Sequence, residues 1–413
     1  MRPYKTSFLP ILLSLFLSLN IGCGAGGAGT GIVTGVENQH PENISNTSMD
    51  SYKPVISADN KGNVYVAWEE GGLNTKKETY LGASANSGGS FSIKKDITKY
   101  IDMGYDTSSP HIGLKRNGAI SVVWAGKKGS QRDIFYSFTK DYGDTFFPPV
   151  SPENISNSSS DSSEPLMGFE GTLSGLEGTL EGSQGIDAAW VEGPAGERKV
   201  AFSRASDPES SFSTPQTIFS AASDSHCPAI ASSGAGKIYL AYKGDNRIYF
   251  ARWEANTSSF SDIGYISPDS ASTSCPEIGL SSNGTVYIVW SDNGGIWVAM
   301  SSDTGYSFTT PKDISDGTGT SSSPKIAMDG SYVNLIWVEE ATGSGDIFFS
   351  GSVDNGQNFS SPKNLSNTST SSLSPVITWD GSKYIYVAWA EGDAGSRDIF
   401  LIKDKGARGL LKP

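Results

Sequence analysis

The polar and apolar positions of this chain fall into short blocks. "NVYVAW" (63–68), "TVYIVW" (285–290) and "YIYVAW" (384–389) are runs of β-branched and aromatic residues. Their length and composition predict strands of a half-buried sheet. Between them lie stretches rich in Ser, Thr, Asp, Asn and Gly, which predict turns and loops. Long amphipathic helical patterns are absent. Each apolar run ends in an aromatic residue: Trp68, Trp124, Trp190, Tyr242, Trp290, Trp337 and Trp389. A proline precedes each one: Pro54, Pro110, Pro165, Pro228, Pro276, Pro324 and Pro375. The separation is 14 residues in five repeats, 13 in the sixth and 25 in the third. The excess in the third is a low-complexity insertion, "GFEGTLSGLEGTLEGSQG" (168–185), in its first hairpin.

Seven anchors at this spacing establish an internal repeat of about 50 residues with four predicted strands, the scale of a propeller blade. One such sheet cannot bury both of its faces, and packing sheets around a ring solves that. The expected fold is therefore all-β: a seven-bladed β-propeller of four-stranded antiparallel blades over residues 40–406, with a C-terminal tail at 407–413. The seventh repeat stops after "RDIFLIKDKG" (397–406) and lacks a fourth strand. "HPENISNTS" (40–48), ahead of the first anchor, matches the fourth-strand segments "SPENISNSS" (151–159) and "SPKNLSNTS" (361–369). The N-terminal segment is thus expected to complete the last blade, leaving no open edge between the chain ends.

Charge and targeting narrow the setting. The chain has 413 residues and a net charge of −13, with no basic run, which disfavours a nucleic-acid partner. Residues 1–22 read as a signal peptide: Arg2 and Lys5, then a short apolar core at 8–21. "NIGC" (20–23) resembles a bacterial lipobox with Cys23 as the lipid-bearing residue, although Asn20 stands where Leu is usual. Ordinary signal-peptidase cleavage nearby is the alternative. The Gly-rich residues 23–39 would be a flexible tether. Gly24 resembles outer-membrane or cell-surface sorting. Export allows Cys227 and Cys275 to pair as a disulfide, since each directly precedes an anchor proline in adjacent repeats. Two buried free thiols are the alternative.

One eight-residue turn recurs as "SSDTGYSF" (301–308) and "SVDNGQNF" (352–359). The pattern Ser-x-Asp-x-Gly-x-x-Phe is met by Asp303, Gly305, Phe308 and by Asp354, Gly356, Phe359. Variants carry Asp141, Gly143, Phe146 after Thr139, and Asn86, Gly88, Phe91 after Ser84. It is eroded at Asp207 and Phe212, and only Asp404 and Gly406 remain in the seventh repeat. It resembles the Asp-box, or BNR repeat, of sialidase-like propellers. The residues act locally, since Asp accepts backbone N–H bonds, Gly permits positive φ and Phe anchors the turn. The resemblance places the turn between third and fourth strands, opposite the ligand face, in a structural role.

That resemblance also implies what a sialidase would need: three arginines converging on a carboxylate, a Tyr nucleophile with a Glu partner, and an Asp acid/base. The Arg-Ile-Pro motif of that family is absent. Arg132, Arg198, Arg247 and Arg397 recur near the start of the third strand. Their repetition favours a framework role, such as pairing with Glu192 or Asp393. A guanidinium ring at the central funnel is the sharper alternative. Glu69 and Glu339, in the pairs Glu69–Glu70 and Glu339–Glu340, follow the strand-ending Trp and are expected as solvated loop charge on the ligand face. His40, His111 and His226 fit no metal-ligand spacing and are expected in surface or loop roles. No metal and no cofactor are expected. The reading is a monomeric, non-catalytic, membrane-anchored binding module for a glycan or a protein. A divergent sialidase-like glycoside hydrolase and an envelope docking platform are the alternatives.

Overall fold

The computed structural model describes residues 41–404 apart from 73–76, 92, 98–105, 115–118, 129, 142–144, 148–151, 170–184, 219–221, 234–235, 316, 318, 330–331 and 341–343. The signal segment 1–22, Cys23, the tether 23–39, His40, Gly143, Gly406 and the tail 407–413 lie outside the described residues. So does the insertion apart from Gly168, Phe169 and Gly185. Gly168 and Phe169 extend the first strand of the third blade, where they pair with Asp187 and Ile186.

The described residues form seven antiparallel sheets and no helix. Blade 1 is typical: Ser51–Ala58, Val64–Glu70, Glu78–Ser84 and Ile93–Asp96 pair in sequence order. In blade 2 an extra two-residue strand, Phe146–Phe147, also pairs with the third strand. The first strands touch one another in succession around the ring, and that of blade 7 (Ser372–Trp379) touches that of blade 1. They therefore enclose a central channel. The protein is a seven-bladed β-propeller.

The second strands were expected to be half-buried, but they are buried on both faces. Val64, Val66 and Trp68 pack towards blade 7, while Tyr65 and Ala67 pack towards blade 2. Each blade is a slab between two others, so alternation of apolar and polar residues disappears in its second strand. Six tryptophans at the ends of these strands, Trp68, Trp124, Trp190, Trp290, Trp337 and Trp389, are among the largest fully buried side chains.

Closure uses the same chemistry as the interior of a blade. In blade 6, Asp346 accepts from Asn364 Nδ2 (2.9 Å) and Ser366 Oγ (2.8 Å), and Ser366 Oγ accepts from the Ile347 N–H (2.9 Å). In blade 7, Asp398 accepts from Asn43 Nδ2 (2.7 Å) and Ser45 Oγ (2.8 Å), and Ser45 Oγ accepts from the Ile399 N–H (2.8 Å). Glu42–Asn43 pairs with the third strand of blade 7, Asp398–Asp404. The N-terminal segment is the missing fourth strand.

The eight-residue turns join third and fourth strands. Asp303 Oδ1 accepts from Ser301 Oγ (2.6 Å) and from the N–H groups of Tyr306 (3.0 Å) and Ser307 (2.9 Å). These bonds, that from the Ser301 hydroxyl foremost, hold its carboxyl well below the usual carboxylate range. Asp354 is pushed down to about 2, chiefly by the Asn358 backbone N–H. Asp141 and Asn86 close their turns in the same way, with Thr145 and Ser90 as N–H donors. The phenylalanines insert between blades: Phe308 meets Phe250 of blade 4 edge-on, with ring centroids 4.8 Å apart. Phe146 is buried between blades 1 and 2, and Phe91 and Phe359 pack at the seams of blades 7–1 and 5–6.

Glycine is required in these turns for two reasons. Gly305 has φ +88°, and a Cβ there would lie 2.7 Å from Phe250 and 3.6 Å from Tyr239 of the preceding blade. Gly356 stands likewise against Tyr287, and Gly88 of blade 1 against Tyr386 of blade 7. Gly284 has a similar φ of +84° but open space around it. Gly305→Ala should therefore cost about 1–3 kcal/mol more than Gly284→Ala in equilibrium urea unfolding. Equal costs would show that backbone conformation alone selects glycine and that the turn does not pack between blades.

Candidate functional site

The ends of the second strands and the starts of the first and third strands share one edge of each blade, opposite the eight-residue turns. On that edge the channel opens. Its lining is set by the anchor prolines. Proline offers no N–H to a ladder, so it interrupts the inner strand. Pairing shifts register across it in blades 1, 2, 3, 4, 6 and 7. The residue before proline adopts positive φ at each of these bulges: Lys53 (48°), Ser109 (53°), Glu164 (54°), Cys227 (53°), Ser323 (53°) and Ser374 (52°). For a side-chain-bearing residue this conformation costs of order 1–3 kcal/mol. None is glycine, so six side chains are retained where glycine would relieve strain.

Carboxylates hold two of these bulges. Glu69 is fully buried, and its Oε1 accepts from the Ser109 N–H of the next blade (2.6 Å) and from Lys53 Nζ (3.2 Å). Its Oε2 has no hydrogen-bond partner. Glu164 Oε2 accepts from the Cys227 N–H of blade 4 (2.8 Å). Cys227 and Cys275 form a disulfide, with Cα atoms 5.3 Å apart, that joins blades 4 and 5. His226 Nδ1 lies 3.3 Å from Cys227 Sγ. Deeper in the channel, Glu277 and Lys325 form an ion pair between blades 5 and 6. His111 Nδ1 accepts from the Met167 N–H (3.3 Å), and burial, with Lys325 second, pushes this histidine down to about 4. Both described histidines lie in inner strands, so the expected surface or loop roles are corrected. The side chains of Glu164, His226 and Cys227 form one cluster with ligand-type atoms within 4.8 Å of one another.

No family model matches the chain, and no curated protein matches it. Solved structures do. An ulvan lyase from a new polysaccharide lyase family has a TM-score of 0.62 at 12% identity, over 88% of this chain and 96% of that one. A protein of unknown function from Dyadobacter fermentans has a TM-score of 0.54 at 12% identity, over 87% and 100%. The NanB sialidase of Streptococcus pneumoniae has a TM-score of 0.51 at 11% identity, over 90% and 71%. What the chain shares with these proteins is the propeller fold.

On this propeller three of the four arginines, Arg198, Arg247 and Arg397, form ion pairs with aspartates of the segment that leads into the next blade. Arg198 Nε donates to Asp224 Oδ1 (2.9 Å) and its Nη2 to Oδ2 (2.5 Å). Asp224 is thereby pushed down to about 2. Arg397 Nη1 donates to Asp50 Oδ2 (3.3 Å). Arg247 Nη2 donates to Asp269 Oδ2 (3.1 Å) and stacks on Tyr265, 4.1 Å from the ring centre. At Arg132 the backbone N–H donates to Asp161 Oδ1 (2.7 Å), and Nε has no partner. The expected partners Glu192 and Asp393 are wrong. The true ones belong to the segment that leads into the next blade, which a reading confined to one repeat misses. The signal was present: "DSYKP", "DSSEP" and "DSHCP" each place Asp four residues before the anchor proline.

Glu69 and Glu339 are likewise corrected from solvated loop charge to buried strand-end carboxylates. Glu339 accepts from Trp337 Nε1 (3.0 Å) and Ser321 Oγ. The same indole-to-carboxylate bond links Trp68 to Glu70, Trp190 to Glu192 and Trp389 to Glu391. Trp124 and Trp290, followed two residues later by Gly126 and Asp292, leave Nε1 without a partner. A shallow cavity of about 120 Å³ lined by Lys140, Pro208 and Glu209 lies at the opposite edge. It is smaller than the usual 300–1,000 Å³ of a ligand pocket.

Glu339→Ala should cost about 1–3 kcal/mol, because it leaves a buried indole N–H and a buried hydroxyl without an acceptor. Glu339→Gln keeps an acceptor and should cost under about 1 kcal/mol. Thermal and urea unfolding distinguish the two, and equal costs would remove the indole bond as the carboxylate's role.

Proposed function

We propose that the chain is an exported, Cys23-lipidated propeller of the outer membrane or cell surface that binds glycan at the channel mouth without catalysing its turnover. The observation that carries the reading is the arrangement of Arg198, Arg247 and Arg397. Each is paired with a framework aspartate at the rim, so they do not present the convergent carboxylate clamp that sialidase chemistry requires. Support for a carbohydrate ligand comes from proteins that share the fold, an ulvan lyase and a sialidase. Polar side chains on a strained, rigid ring suit recognition of a hydroxyl-rich ligand. Lys53, half-exposed above buried Glu69, is the side chain best placed to meet it.

A second reading, a divergent glycoside-cleaving enzyme, is favoured by one observation. Glu164 and His226 are two titratable groups side by side at the mouth, as acid/base chemistry requires.

Purified chain is tested on a glycan array and with fluorogenic sialosides and other glycosides. The expected result is binding to a glycan class, weakened about tenfold by Lys53→Ala, with no turnover. Turnover abolished by His226→Ala would establish the enzyme instead. Blank arrays together with recovery of a single envelope protein would establish a docking platform.

A further inference from the structure

The pre-proline position of three consecutive blades carries Glu164, Cys227 and Cys275, and His226 is next to the middle one. We propose that these four residues form a zinc site that the disulfide closes. With the disulfide reduced, two thiolates, the imidazole and one carboxylate oxygen hold one Zn²⁺ between blades 3, 4 and 5. The inference does not depend on what the channel mouth binds.

The donor set is one that zinc takes, with four ligands of N, S and O type. Zinc bonds of about 2.0–2.3 Å set neighbouring ligand atoms of a tetrahedron roughly 3.3–3.8 Å apart. His226 Nδ1 and Cys227 Sγ already stand 3.3 Å apart, and the ligand atoms of Glu164, His226 and Cys227 all lie within 4.8 Å of one another. The Cα atoms of Cys227 and Cys275 are 5.3 Å apart, so both sulfurs can reach one ion after their bond is broken. The site is held before any metal arrives. Glu164 is fixed by accepting the Cys227 N–H at 2.8 Å, and a carboxylate has a second oxygen to offer. Cys227 is fixed by the bulge that Pro228 imposes. The chain spacing hides the set, because its members come from three repeats.

The redox step balances as thiol–disulfide exchange. A dithiol reductant transfers two electrons to the sulfur pair, the S–S bond breaks, and the reductant becomes a disulfide. Zinc binding then releases the thiol protons. In reverse, the disulfide of an exchange partner takes two electrons from the thiolates, the Cys227–Cys275 bond forms, and the ion leaves. Oxidation and metal occupancy are mutually exclusive because the same two sulfurs serve both.

The intact chain, reduced with a phosphine and freed of metal, is titrated with Co²⁺ as a spectroscopic probe and then with Zn²⁺. The expected result is one Co²⁺ per chain with thiolate-to-cobalt charge-transfer absorption, displaced by one Zn²⁺, and no such absorption in the oxidised chain. His226→Ala and Glu164→Gln keep the disulfide and so fold when oxidised. After reduction each should weaken zinc binding by at least about tenfold. Absence of thiolate absorption in the reduced chain overturns the proposal, as does unchanged affinity in both variants. A chain that unfolds on reduction supports it if zinc restores the fold and overturns it if zinc does not.

Discussion

Each blade depends on its neighbours because its second strand is apolar on both faces. Val64, Val66 and Trp68 face one way and Tyr65 and Ala67 the other, and all are buried. Burying such side chains stabilises by roughly 1.5–3 kcal/mol each, but only where another blade covers them. A row of such sheets would end in two exposed apolar faces. A ring has no ends, provided that its last sheet is complete. That requirement explains why the two chain ends share blade 7.

Two kinds of contact recur at several seams, including the one that closes the ring. Tyr239 against Gly305, Tyr287 against Gly356 and Tyr386 against Gly88 are three instances of one contact, the last joining blade 7 to blade 1. At the opposite edge, Arg198–Asp224 and Arg397–Asp50 are two instances of one ion pair, the second again across the closing seam. The recurring turn that first marked the repeat is therefore a fastener on one edge, and the rim arginines are fasteners on the other. The strained proline bulges line the channel mouth on the same edge as the arginines.

The blade count, the strand order and the closing segment were legible because they are written as periodic apolar runs and as a displaced copy of "PENIS". The turn residues were legible because their bonds are local: Asp303 binds groups within a few positions of itself. What was not legible involves side chains that act between repeats. Arg397 meets Asp50 from the far end of the chain, and Glu69 meets the backbone of Ser109. The burial of Glu69 and Glu339 is not legible because a carboxylate after a strand ordinarily marks solvent, whereas here one oxygen of Glu339 accepts from an indole of its own strand and a hydroxyl of the adjacent strand, and one oxygen of Glu69 accepts from an amine and a backbone amide. The strained pre-proline positions are present in the sequence as a proline inside the inner strand of six blades, which calls for a bulge.

The joint that completes blade 7 from both ends of the propeller bears the same structural weight as the corresponding joint inside a continuous blade. Urea unfolding of Asp398→Ala beside Asp346→Ala tests it most directly, because each substitution removes one aspartate that fastens a fourth strand. Similar losses are expected for the two, of about 1.5–3 kcal/mol. A clear loss for Asp346→Ala with none for Asp398→Ala would contradict it.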